Sequence, residues 1–182
     1  MSEPASARRY GEMRFRPGLM PPLFGDTAST LIVDDDPVVA SVLASLLEPE
    51  GYRCRIAANA KEARKLLEAQ DFALALVDVM MPGESGLELG ADIAAKHRDT
   101  AVVMVTSVDE PSIAQLAIDS GAYGYIVKPF RENDVLIAVA NAGQRRCREI
   151  EHRAHEARVE RMLADKTAEL GDVLDQRKHD AT

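Results

Sequence analysis

The chain has 182 residues, with 30 acidic against 22 basic side chains and a formal net charge of −8. This length predicts one domain with appendages, or at most two very small domains. There is no run of about 18 apolar residues to span a membrane, and the two cysteines, Cys54 and Cys147, are too few for a disulfide framework. We therefore expect a protein of the reducing cytoplasm.

The first 28 residues differ in character from the rest. They hold four of the nine prolines and scattered arginines, and they show no hydrophobic periodicity. This composition predicts a disordered leader over 1–28. The segment lacks the apolar core of a secretory signal. A regular alternation of apolar runs and helical patterns begins at Ser29.

Five apolar runs predict five strands, each followed by a helix. The strands are expected at 30–33, at 52–57, from Ala73 into Asp78, and in two runs ending at Thr106 and Lys128. Helices are expected near 37–47, after a cap at Asn59, around 87–97, near 111–120 and from near Glu132. Five such units predict an α/β fold, a doubly wound parallel sheet with helices on both faces.

Chemically active side chains follow four of these strands. They are Asp34, Asp35 and Asp36 after the first, Asp78 after the third, Thr106 and Ser107 after the fourth, and Lys128 after the fifth. Because the carboxyl ends of parallel strands share one edge, these side chains are expected to cluster there. Clustered carboxylates favour Mg²⁺, and a neighbouring ammonium and hydroxyl suit a phosphoryl group.

Four motifs together resemble one known family. They are VDDDP at 33–37, VDVMMPGESGLEL at 77–89, VMVTS at 103–107 and GYIVKPF at 124–130. In this order and spacing they resemble the CheY-like receiver domain of two-component response regulators. The resemblance covers roughly 29–142 and implies a flavodoxin-like strand order, 2-1-3-4-5.

The resemblance also implies roles for the acidic residues. Asp78 would be the nucleophile that accepts a phosphoryl group from a phosphohistidine of a sensor histidine kinase or a phosphotransfer protein. Asp35, Asp78 and the backbone carbonyl of Met80 would hold Mg²⁺, with Asp34 acting through a coordinated water. Asp36 would cap the first helix.

Further roles follow from the same resemblance. Lys128 would pair with Asp78 at rest and with a phosphoryl oxygen afterwards, and Thr106 would donate its hydroxyl to another oxygen. Ser107 is small and would leave the pocket open. Tyr125 lies at the switch-aromatic position, where inward rotation would follow movement of Thr106.

Two apolar residues, Met80 and Val108, would border the path of the water that hydrolyses the aspartyl phosphate. An apolar cleft offers that water no hydrogen-bond partner. We therefore predict slow autodephosphorylation.

The segment 143–182 has nine acidic and nine basic side chains and no proline, which predicts a helical or coiled-coil extension. A seam that could join two copies of the chain is formed by Val159, Leu163, Leu170 and Val173, with Lys166 interrupting it. The balanced charge of this segment argues against direct contact with nucleic acid. The expected partners are a sensor histidine kinase or phosphotransfer protein, a second copy of the chain through this seam, and an output partner that the sequence does not identify.

Two other interpretations remain open. LIVDDDPV also fits the first motif of haloacid-dehalogenase phosphatases, with Asp34 as nucleophile and Asp36 as acid/base, but no pair of acids at a later strand end follows Lys128 to hold Mg²⁺. Alternatively, ERMLADKTAEL at 160–170 resembles the connector before HD-type cyclic-dinucleotide phosphodiesterase domains, so the chain could be the N-terminal regulatory part of a longer regulator. No GYP motif is present, and we expect a signalling domain rather than an enzyme.

Overall fold

The computed structural model describes residues 28–107 and 111–180. The predicted leader, 1–28, lies outside the described residues apart from Ala28, and so does Val108.

The described chain alternates strands and helices as predicted. The strands are β1 Ala28–Val33, β2 Tyr52–Ala57, β3 Leu74–Asp78, β4 Ala101–Thr106 and β5 Gly124–Val127. The helices are α1 Pro37–Leu47, α2 Ala60–Ala69, α3 Gly86–Lys96, α4 Pro111–Asp119 and α5 Glu132–Asp180. A 3₁₀ turn at Glu48–Glu50 follows α1, and the Lys128–Pro129 peptide bond is cis.

The five strands form one parallel sheet in the order β2-β1-β3-β4-β5, which confirms the predicted α/β fold and strand order. Helices α1 and α5 pack on one face of the sheet, and α2, α3 and α4 pack on the other. All five residues of β3 are buried because both faces of this central strand are covered.

Local capping places two helices where the sequence predicts them. Asp36 Oδ1 accepts a hydrogen bond of 2.8 Å from the Val38 amide at the start of α1. Asn59 Oδ1 accepts one of 2.9 Å from the Glu62 amide at the start of α2. Each bond satisfies an amide that has no partner within its own helix.

Helix α5 runs without interruption through the predicted boundary between 142 and 143. Beyond that boundary its side chains still contact the sheet domain: the Tyr123 hydroxyl donates to Glu149, and Arg146 and Arg153 bond to Asp99. From 154 to 171 every side chain is exposed. The helix therefore has a packed part and an exposed part. Within the described residues, none of the helices is long and apolar enough to cross a membrane.

Candidate functional site

The strand register gathers the predicted site residues at the carboxyl edge of the sheet. Val33 pairs with Val77, Asp78 with Val105, and Thr106 with Val127. Asp34 and Lys128 each follow directly after a paired strand end. Four segments that are distant in sequence therefore contribute one cluster of side chains.

Three carboxylates of this cluster converge. One oxygen from each of Asp34, Asp35 and Asp78 lies within 4.8 Å of the other two. Asp34 and Asp78 are only 2% and 4% exposed, whereas Asp35 is open to solvent. Oxygen donors at this spacing, with one side open, fit a hard cation such as Mg²⁺ that keeps part of its water shell.

Lys128 bridges the two buried carboxylates. Its Nζ lies 2.8 Å from Asp34 Oδ2 and 3.3 Å from Asp78 Oδ2. The sequence predicts that Lys128 pairs with Asp78, and the structure shows a shorter contact with Asp34 as well. Burial alone would lower the pKa of the Lys128 ammonium, but the hydrogen bond to Asp34 and the charges of both carboxylates raise this pKa above its usual value.

The pKa of the Asp78 carboxyl is also shifted by its surroundings, but burial is the largest cause of this shift. Burial raises its pKa above the ordinary value, and the neighbouring charge of Asp34 acts in the same direction. Lys128 and the Met80 amide, which donates to Oδ1 over 3.4 Å, oppose that rise. Asp78 is thus a desolvated carboxylate with few compensating bonds, which suits a nucleophile.

Both oxygens of Asp34 already have partners. Oδ1 accepts the Asp36 amide at 2.9 Å, and Oδ2 accepts Lys128. These bonds hold Asp34 in a fixed orientation beside Asp78 and leave it less free to attack a substrate.

The remaining predicted residues are distributed around this cluster. Thr106 is buried at the end of β4, and Ser107 beside it is exposed. The Tyr125 side chain is 44% exposed, so the aromatic ring lies toward solvent. Met80 is 59% exposed. Val108, its predicted counterpart, lies outside the described residues.

Gly86 is a site residue that sequence reasoning missed. A Cβ built at Gly86 would lie 1.8 Å from the carbonyl oxygen of Asp78, so only glycine allows α3 to approach the end of β3 this closely. The Gly86 amide also donates to the Val79 carbonyl at 3.1 Å. A glycine at the start of a helix is visible in the sequence, but the atom that it touches is not.

An ion-pair network that holds the β3–α3 loop was also missed. Arg64 on α2 binds both carboxylate oxygens of Glu84 at 2.6 Å. It also reaches Asp92 on α3 at 2.5 Å. These bonds raise the pKa of Arg64 and lower that of Asp92. The network ties the loop after Asp78 to two helices, and no local sequence signal marks such a pairing.

Comparison with known proteins agrees with this arrangement. Residues 30–140 match the family model described as the response regulator receiver domain. The chain belongs to this family, whose members are phosphorylated on an aspartate and bind magnesium in an acidic pocket.

Three relatives illustrate the similarity. Transcriptional regulatory protein SrrA of Staphylococcus aureus is 33% identical over 109 residues, which are 60% of this chain and 45% of SrrA. A CheY-like receiver domain protein from Methanospirillum hungatei is 31% identical with a TM-score of 0.63, covering 68% of this chain and 98% of that one. TrrA from Thermotoga maritima, solved in complex with Mg²⁺ and BeF, is 30% identical with a TM-score of 0.57, covering 63% and 97%. The chain thus spans about half the length of SrrA but nearly all of the isolated domains.

Proposed function

We propose that this chain accepts a phosphoryl group on Asp78 from a phosphohistidine of a sensor histidine kinase or phosphotransfer protein. The observation that carries the proposal is the buried Asp78 carboxylate, with Asp34 and Asp35 within 4.8 Å and Lys128 at 3.3 Å. An oxygen of Asp78 attacks phosphorus, the bond from phosphorus to the histidine nitrogen breaks, and the electron pair of that bond stays with the imidazole. The product is an aspartyl phosphate.

The other site residues assist this step. Asp34, Asp35, Asp78 and the backbone carbonyl of Met80 would hold Mg²⁺, which when bound withdraws charge from the phosphoryl oxygens. Lys128 changes partner from a carboxylate to a phosphoryl oxygen, and the Thr106 hydroxyl donates to another. Ser107 leaves the entrance open, and inward rotation of Tyr125 follows the movement of Thr106.

Chemical trapping of the modified residue tests this proposal. After incubation with acetyl phosphate and Mg²⁺, borohydride reduction should convert the phosphorylated aspartate to homoserine, and peptide mapping should find it at position 78. The family match leaves the haloacid-dehalogenase interpretation without support. Homoserine at position 34 would revive it and contradict our proposal.

Phosphorylation would then change partner binding or self-association, the output expected of a receiver. A homodimer through the seam on α5 is one such output, since Val159, Leu163 and Leu170 are exposed. The test is the mass of the chain in solution with and without beryllofluoride and Mg²⁺. A mass that depends on beryllofluoride supports switched self-association, and an unchanged mass leaves partner binding as the output.

The chain could also serve as the regulatory part of a longer regulator. The supporting observation is that it spans only 45% of SrrA, which is named a transcriptional regulatory protein, while α5 carries the connector-like segment 160–170. Receiver domains are signalling domains, and the described residues include no enzymatic output domain. A cytoplasmic location and the lack of direct contact with nucleic acid stay predictions.

A further inference from the structure

A second concave feature lies at the opposite edge of the sheet from Asp78. A cleft of about 620 Å³ separates the packed part of α5 from the amino end of β4 and the residues before β5. Thr100 and Tyr123 line it from the sheet domain, and Arg145, Arg148 and Arg153 line it from α5. The cleft therefore exists only because α5 continues past the sheet.

The charge of this cleft is opposite to that of the domain around it. Residues 29–142 carry eighteen acidic against nine basic side chains. The cleft lining contains four arginines, one histidine and a single carboxylate, Glu149. Arg98 comes from the segment between α3 and β4, and the other arginines come from α5.

Two of the four guanidinium groups serve the packing of α5. Arg153 pairs with Asp99. Arg145 Nε lies 3.1 Å from Glu149 Oε1, and Arg145 Cζ lies over the Tyr123 ring, 4.6 Å from its centre. Glu149 also accepts from the Tyr123 hydroxyl, so the single acid of the lining already has partners.

The other two guanidinium groups, on Arg98 and Arg148, are exposed. Across residues 28–107 and 111–180, neither has a hydrogen bond or an ion pair to a side chain or backbone atom. They line one cleft from two different parts of the chain, and each presents a planar fork that can bind two oxygens of one phosphate.

We propose that this cleft binds a small anion with at least two phosphate groups, of the size of a nucleoside diphosphate. The volume falls within the usual range for small-molecule sites. The two free guanidinium groups supply the charge-assisted bonds that such an anion requires. A bound diphosphate would connect Arg98 of the sheet domain to Arg148 of α5, and would thereby hold the helix against the domain.

Isothermal titration calorimetry with ADP and with pyrophosphate tests this proposal. The whole chain is titrated without divalent cations, so that the Asp78 site does not contribute. We expect saturable binding of one ligand per chain. The Arg98→Gln/Arg148→Gln variant should bind at least about tenfold more weakly, because charge-assisted bonds are lost. The matched control is Arg158→Gln/Arg161→Gln, which removes the same charge from the exposed part of α5 and should bind as the unmodified chain does.

Three outcomes would overturn the proposal. They are the absence of saturable binding of either probe, an equal loss of binding in the control variant, and binding of duplex DNA through the same arginines with no binding of the small anions. None of them bears on Asp78, because phosphorylation by acetyl phosphate should be the same in both variants.

Discussion

At the scale of single residues, Lys128 supplies a positive charge beside the carboxylates of the site. Its ammonium contacts two carboxylates that are almost fully buried, and it offsets one of their two negative charges. Removal of one partner from a buried ionic group leaves the other without compensation, which is costly. The Lys128 side chain is 19% exposed, and this partial access to water moderates the cost.

Lys128→Ala should therefore lower the free energy of unfolding by about 2–3 kcal/mol. Added Mg²⁺ should restore part of this loss, because the cation replaces the missing charge and binds only the folded chain. Metal binding should persist while phosphorylation no longer produces the downstream change. Urea denaturation with and without Mg²⁺ measures the effect, and the exposed Lys65→Ala is the control. Equal stability of the two variants would show that Lys128 does not balance the site.

Gly86 allows close packing at the site because it has no side chain. Gly86→Ala would place a methyl group 1.8 Å from the Asp78 carbonyl oxygen, and α3 or the end of β3 would have to move. We expect a loss of about 1–3 kcal/mol in unfolding free energy, as for other overpacked sites, together with slower phosphorylation by acetyl phosphate. Gly124→Ala is the matched control, since its Cβ meets nothing within 4 Å. Unchanged phosphorylation of Gly86→Ala would refute this prediction.

The lifetime of the aspartyl phosphate is predicted from Met80 and Val108. Polar side chains at these positions would orient the attacking water, whereas apolar ones do not. Met80→Asn combined with Val108→Glu should therefore speed autodephosphorylation by one or two decades, about 1–3 kcal/mol in barrier. The measurement is decay of the phosphorylated chain after removal of the donor, with Leu116→Asn as control. Loss of the phosphoryl group within seconds from the unmodified chain, or no acceleration in the double variant, would contradict water exclusion.

At the scale of elements, α5 joins two different environments. Up to Arg153 it is tied to the domain through Asp99 and Tyr123, and from 154 to 171 its side chains are exposed. The sequence change at 142–143 marks a difference in composition, but the contacts of the helix extend about ten residues further along the chain. Three residues of the predicted seam, Val159, Leu163 and Leu170, lie in this exposed part.

Two truncations separate the roles of these parts. A chain ending after Asn141 loses the contacts of Glu149 and Arg153, and should be about 1–2 kcal/mol less stable than a chain ending after Ala157. Both should be phosphorylated. Self-association, which we expect to be micromolar or weaker, should be absent from both because the seam lies further on. Denaturant titration and sedimentation equilibrium measure these quantities. A dimer of the chain ending after Ala157 would place the interface elsewhere.

At the scale of the whole molecule, the sequence predicts best those features that follow from local residue patterns and from the order of the strands. The strand ends at Asp34, Asp78, Thr106 and Lys128 could be predicted because buried parallel strands read as apolar runs. The caps at Asp36 and Asn59 could be predicted because each follows a local rule. Three contacts could not be predicted from the sequence. They are the contact of Lys128 with Asp34, the pairing of Arg64 with Glu84, and the contact of Gly86 with Asp78. These depend on side-chain placement after the elements pack, and the sequence holds no local pattern for that.

The central claim is that four distant strand ends assemble one phosphoryl-accepting aspartate, Asp78. The most direct test is intact-mass measurement of the whole chain after incubation with acetyl phosphate and Mg²⁺. Asp36→Asn is the matched control, since asparagine also caps helices and Asp36 lies outside the three-carboxylate cluster. The account predicts one added phosphoryl group on the unmodified chain and on Asp36→Asn, and none on Asp78→Asn. Phosphorylation of the Asp78→Asn chain to the same extent would contradict it.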